Sequence, residues 1–353
     1  MSFYGYLYML SIFFLITSVG TKKNNKDFLS TTPHKIVKSK KLQLNFFLSY
    51  QHSFARGIFL TDTSIILTNN KDLENDYFFY EFSIASKKQI GKYVKFGSKE
   101  NEVLSPLSYG QSKDGSLFVT DITLNKILSF SKKSTTKTNK ETIYLKENTL
   151  NDVGYSVQLI DSNTAIFTGI EKSKNKVQII DIKTKEVLQS WGNYTDAPNN
   201  EPFSAWKQAN EGFIFLKPNG KKAVLGYRFT NKIEIFDLQD YSSILITSKD
   251  NFEPAFVPIR VSDSYLMQRI EQTRFAFVNG YCTENFCYLL YSGEQHETTN
   301  KNKGKYIYKY DWTGKLVDTI SLDRNITGFA ISKNDSTIYA FDSNSKNIVF
   351  AQL

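Results

Sequence analysis

Residues 176–181 read KVQIID, 232–237 read KIEIFD and 306–311 read YIYKYD. Apolar and polar side chains alternate in all three, which is the period of a half-buried strand and not of a helix. A polar turn follows each. After Asp311 it is Trp312-Thr313-Gly314, and Gly314 can take the positive φ that a tight hairpin demands. Residues 126–130 (KILSF) are a fourth copy, and residues 77–83 and 347–352 are weaker fifth and sixth copies. Start-to-start spacings run from 41 residues (306 to 347) to 74 residues (232 to 306), within or somewhat above the range of four-stranded propeller blades.

Working outward, each copy sits in the same frame. A short apolar strand precedes it, as at Leu117-Phe118-Val119, Ala165-Ile166-Phe167 and Ala223-Val224-Leu225, and another follows, as at Ile244-Leu245-Ile246. Each unit is therefore a four-stranded antiparallel meander, which cannot bury both faces alone and must stack on its neighbours. The expected fold is all-β: a six-bladed β-propeller of four-stranded antiparallel blades. After Ile326 only three strands remain before the chain stops at Leu353. The period-two stretch 42–46 (LQLNF) is expected to supply the missing strand, because an open ring would leave an unpaired edge. An aromatic content of 15%, with 28 Phe and 21 Tyr, suits strands and excludes a disordered chain.

The formal net charge is +9. It comes mostly from scattered Lys, and Arg occurs only at positions 56, 228, 260, 269, 274 and 324. Phosphate and base recognition favours clustered Arg, so nucleic acid is not expected as a partner.

Residues 1–21 carry no charge, and Leu7 to Ile16 form an apolar run of signal-peptide length. Ser18 and Gly20 suit cleavage after Gly20. No Lys or Arg precedes the run, so an uncleaved anchor is the alternative, and a misassigned chain start upstream of Met9 is a third. Residues 15–20 also resemble the end of a bacterial lipoprotein signal, but Val19 stands where the lipidated Cys is required. The expected organisation is 1–20 signal peptide or membrane anchor, 21–41 flexible Lys-rich tether, and 42–353 propeller.

The stretch 277–321, with LLYSG at 289–293, YIYKYDWTGK at 306–315 and LDRNI at 322–326, resembles the TolB-like six-bladed propeller family of Bacteroidetes. The resemblance implies a propeller fold and an exported, periplasmic or cell-envelope location. It implies no defined reaction or ligand.

Cys282 and Cys287 are spaced for opposite positions of a hairpin. In an oxidising compartment they can form a disulfide, and the alternative is two buried thiols. They do not complete a zinc shell. Histidine occurs only at His34, His52 and His296, and there is no Gly-x-Ser-x-Gly elbow, so no catalytic set, metal site or cofactor is expected. His296 falls in a polar loop, 293–304, read as a flexible hairpin tip. Asn151, Asp152 and Glu201 are the candidates for a calcium-dependent, lactonase-like alternative, a metal-dependent hydrolase or lyase.

Segments leading into the innermost strands should share one face, which places Arg56, Tyr155, Trp206 and Arg274 together as candidate ligand-binding residues. The competing reading is that they plug the channel and satisfy one another. The insertion 251–271 is either a lid or a decoration. The function expected is a non-enzymatic binding or scaffold propeller of the cell envelope. Its partner would be an envelope protein or glycan, the chain a monomer, and membrane contact limited to the N-terminal segment.

Overall fold

The computed structural model describes residues 27–30, 39–50, 55–69, 76–134, 141–198, 201–248 and 250–353. The signal or anchor reading of residues 1–20 and the position of His52 lie outside these residues. Four-stranded meanders form wherever the alternating segments sit. Blade 1 comprises Ile58–Leu60, Ser64–Thr68, Tyr77–Ser83 and Gln89–Lys95. Blade 2 comprises Pro106–Gln111, Leu117–Asp121, Lys126–Ser134 and Glu141–Thr149, and blade 3 Ser156–Leu159, Thr164–Thr168, Asn175–Asp181 and Val187–Asn193. Blade 4 is Gly212–Leu216, Lys222–Tyr227, Lys232–Asp237 and Ser243–Thr247. Blade 5 is Phe277–Cys282, Phe286–Tyr291, Gly304–Asp311 and Leu316–Ile326. Blade 6 supplies only Gly328–Ile331, Thr337–Asp342 and Asn347–Gln352. The first strand of each blade is innermost. Strands are called A to D from the channel outward, so A–B turns open on one mouth and D–A connections on the other.

The ring closes through the N-terminal strand Asn45–Ser49, antiparallel to Asn347–Gln352 of blade 6. The closing strand overlaps the expected stretch 42–46 at Asn45 and Phe46, which pair with Phe350 and Val349, and runs on to Ser49. Phe47 and Leu48 are both buried although adjacent, because the pairing shifts register between Ile348 and Val349. Leu42 instead pairs in parallel with Leu322 on the outer edge of blade 5, in the strand Ser39–Leu42. Asp27–Ser30 likewise pairs in parallel with Ser243–Ile246 at the edge of blade 4. Asp27–Ser30, and Ser39–Leu42 up to Lys41, fall in the stretch read as a tether.

Six apolar clusters fill the six blade-to-blade interfaces. Between blades 3 and 4, for example, Ile166, Val177 and Trp191 meet Ala223, Tyr227 and Phe236. Burial of each such side chain contributes about 1.5–3 kcal/mol. The inner strands are further seamed by Ser108 Oγ, which accepts from Val157 N (3.1 Å), and Ser156 Oγ, which accepts from Ile214 N (3.2 Å). The DWTG turn forms as read, with Gly314 at φ 89° and Asp311 Oδ1 accepting from Thr313 N and Lys315 N.

The insertion forms a hairpin, Phe256–Val261 with Ser264–Arg269. It packs on the short helix Phe203–Ala209, where Ser204 Oγ donates to Tyr265 O (2.8 Å) and Met267 N donates to Gln208 Oε1 (2.9 Å).

Candidate functional site

The inner strands enclose a channel with two connected cavities. The larger, about 300 Å³, opens at the A–B mouth between the turns of blades 2, 3 and 4 and the end of the first strand of blade 5. The smaller, about 140 Å³, lies toward the D–A mouth. Arg56, Tyr109, Gln158, Phe215 and Asn279 border both and form a waist.

Arg56 precedes the first strand of blade 1 and is fixed from both sides. Its Nη2 donates to Val278 O (3.1 Å), and its own carbonyl accepts from Asn279 Nδ2 (2.7 Å). Gly328 makes this approach possible, since a Cβ there would sit 2.1 Å from Arg56 O. The guanidinium carbon is 5.8 Å from the Phe213 ring centre, and Nε is buried without a hydrogen-bond partner. Gln158, on the first strand of blade 3, is only 9% exposed. Its carboxamide forms no hydrogen bond with any described residue and is open to the channel, lining both cavities. Asn279, by contrast, is fully engaged, with Nδ2 on Arg56 O and Thr327 O and Oδ1 accepting from Gly280 N. Among the described residues lining the two cavities there is no Asp or Glu. The cations are Arg56, Lys113 and Lys217, of which Lys217 has its ammonium 5.6 Å from the Trp312 ring centre.

Cys282 lines the larger cavity directly opposite Cys287, and both are free thiols. Burial pushes both thiols well up, which removes them as nucleophiles at neutral pH.

The D–A mouth is built differently. Arg228 donates from Nη1 to Tyr155 OH (2.6 Å) and from Nη2 to Asn302 Oδ1 (3.1 Å), and lies 5.1 Å from the Phe275 ring centre. Tyr155 packs on Phe213 with 5.6 Å between ring centres, and burial raises its phenol pKa against the opposing charge of Arg228. Beside them, burial pushes the Glu211 carboxyl up to about 8, despite the nearby charges of Lys207 and Arg228. A carboxyl so raised contributes stability in full below its unfolded pKa, and loses it as pH climbs through the folded value. Raising pH from 5 to 9 should therefore destabilise the wild type relative to Glu211→Gln. The expected size is about 1–2 kcal/mol, discounted because Glu211 stays partly exposed. Urea melts of both proteins at the two pH values check this.

Of the four candidate residues, Arg56 and Tyr155 both pack on Phe213, but only Arg56 borders the cavities. Trp206 does not join them. Residues 203–209 form the helix, so Trp206 is buried beneath the hairpin, its Nε1 donating to Thr195 O (3.0 Å) and its ring 6.4 Å from Phe256. Arg274 stacks over Phe252 at 4.5 Å and borders neither cavity. His296 is no free hairpin tip, since its ring stacks on Phe275 at 6.1 Å and its carbonyl accepts from Lys301 Nζ (2.6 Å). Asp152 caps turns, accepting from Gly154 N and Glu171 N. Among the described residues no three of His, Cys, Asp or Glu are placed to hold a metal. Gln158, Phe215, Tyr281 and Arg228 were not singled out in the sequence. Gln158, polar between Val157 and Leu159, follows the ordinary alternation of a strand and gave no local signal.

A family described as TolB-like 6-blade propeller-like matches residues 27–334, a span that includes both edge strands and the closing strand. The chain belongs to this family. Among solved structures, this TolB-like propeller is similar to U3-55K, at 11% identity, over 88% of this chain and 98% of that one, with a TM-score of 0.45. It is similar to Kuenenia stuttgartiensis hydrazine synthase at 11% identity, over 92% and 98%, with a TM-score of 0.43. A third is the Cps50 (Swd1) β-propeller domain of Myceliophteria thermophila, at 12% identity over 88% and 99%, with a TM-score of 0.46. No curated protein matches it. Among the described residues of the TolB-like propeller, no helix is long and apolar enough to cross a membrane.

Proposed function

We propose that this TolB-like propeller is an exported, non-enzymatic binding protein of the cell envelope that holds a small ligand in its central channel at the A–B mouth. The observation that carries the reading is Gln158, a residue nine-tenths buried whose carboxamide has no hydrogen-bond partner among the described residues and is open to a cavity of about 300 Å³. That volume is at the lower end for small-molecule sites, which pair apolar walls with a few convergent polar groups. Tyr109, Phe215, Tyr281 and Phe329 supply such walls. The apolar run at residues 7–16 supports export, by cleavage after Gly20 or by anchoring. Suppressed thiols and a cavity lining without carboxylates favour binding over hydrolysis.

Gln111 sits on the rim of the larger cavity. Thermal melts of the full chain against a library of small organic molecules should give stabilising ligands, and Gln111→Trp should remove their effect while leaving the unliganded melting temperature within a few degrees. Turnover of a lactone, ester or glycan that requires a divalent cation would instead establish the hydrolase alternative.

A further inference from the structure

We infer that the channel ligand is a small organic carboxylate with an apolar or aromatic body, its anionic group seated against Arg56 and Gln158. The inference rests on the channel being a ligand site, and adds the chemistry of what enters.

Arg56 is a cation without a counter-ion. It forms no ion pair with any described carboxylate, its one guanidinium hydrogen bond goes to Val278 O, and its Nε–H is buried and unpartnered. Arg56 is half-buried and faces the channel with its Nε–H cut off from water, so an anion in the channel would complete its hydrogen bonding. Gln158 adds an open donor and an open acceptor at the same waist, which suits a carboxylate flanked by a hydroxyl or amide. The cavity above Arg56 is walled by Phe59, Tyr109, Phe215, Tyr281 and Phe329, and aromatic walls favour an apolar body. Lys113 stands exposed at the rim, its stem reaching toward Gly220 of blade 4, where it adds positive potential on the way in. A cationic ligand would find no acid among the lining residues described. A phosphomonoester dianion is best held by several convergent donors, and the waist offers one guanidinium.

Isothermal titration of the full chain with 3-phenylpropionate, 3-phenylpropanol and phenyl phosphate tests this. The carboxylate should bind at least about tenfold more tightly than the alcohol, as a charge-assisted hydrogen bond warrants. Arg56→Gln should erase that preference, so that carboxylate and alcohol bind the variant alike, and a retained cooperative thermal melt shows that the variant is folded. Gln158→Leu, independent of any part Arg56 plays in packing, should weaken carboxylate binding about fivefold or more. Equal binding of carboxylate and alcohol, blocked by Gln111→Trp, would overturn the carboxylate claim and leave the channel reading standing. Preference for phenyl phosphate would likewise overturn it. Binding of none of the three would overturn both.

Discussion

A chain truncated to begin at Tyr50 is expected to lose cooperative thermal unfolding and to aggregate. The lost segment carries the closing strand Asn45–Ser49, and with it the last rung of blade 6. Phe47 is buried edge-on against Tyr339 (5.1 Å) and Phe350 (5.9 Å), and Leu48 is buried in the cluster between blades 6 and 1. Burying two such side chains is worth about 3–6 kcal/mol, against a whole-domain stability of about 5–15 kcal/mol. Truncation also bares the edge of Asn347–Gln352, and an apolar unpaired edge pairs with other chains. Tyr50 would remain, with its OH on Thr68 O (3.1 Å), but without the strand that feeds it into place. Calorimetry of the truncated and full chains decides the matter. An unchanged transition would mean that blade 6 closes without the N terminus.

Replacing Glu234 by Leu should lower stability by about 3–5 kcal/mol, the cost of leaving a buried cation without its partner. Glu234 lies at the interface of blades 3 and 4, with its side chain 3% exposed. It accepts from Lys176 Nζ (2.8 Å), Tyr227 OH (2.7 Å) and Ser243 Oγ (2.8 Å). Removing it strands all three donors, and Lys176, whose side chain is 10% exposed, suffers most. The double variant Glu234→Leu with Lys176→Met should recover most of the loss, because a well-packed apolar pair replaces a buried ion pair at little cost. Urea unfolding of the single and double variants measures both. Equal losses in the two would show that packing of Glu234, and not its charge, holds the blades together.

The blades were legible because their signal is local. Residues 176–181, 232–237 and 306–311 each alternate, and each lies in the third strand of a blade with its apolar face in an inter-blade cluster. Closure was legible in kind but not in register. Leu42 and Leu44 alternate correctly, yet they bury at the seam of blades 5 and 6, where Leu44 N donates to Asp323 Oδ1 and Arg324 Nη2 donates to Leu44 O. The true closing strand breaks alternation at Phe47-Leu48, because the register shift turns two neighbours inward.

The site was less legible. Reading by place before an inner strand grouped Arg56, which borders the waist, with Tyr155, which sits at the other mouth and borders neither cavity, and with Trp206, although the chain forms a helix there and enters blade 4 only after Glu211. The waist is set by how Tyr109, Gln158, Phe215 and Asn279 meet across four blades, and 49 to 64 residues of chain separate each from the next. Nothing in the local pattern around any one of them records that meeting. Gln158 looks like an ordinary solvated position until the ring closes over it.

Crystals of the full chain soaked with a set of small organic acids and their neutral isosteres test the account most directly. Bound molecules should gather in the cavity at the A–B mouth, in contact with Gln158 and Phe215, with the acids turned toward Arg56. Density gathering at Arg228 and Tyr155 on the other mouth, or none in the channel at all, would contradict it.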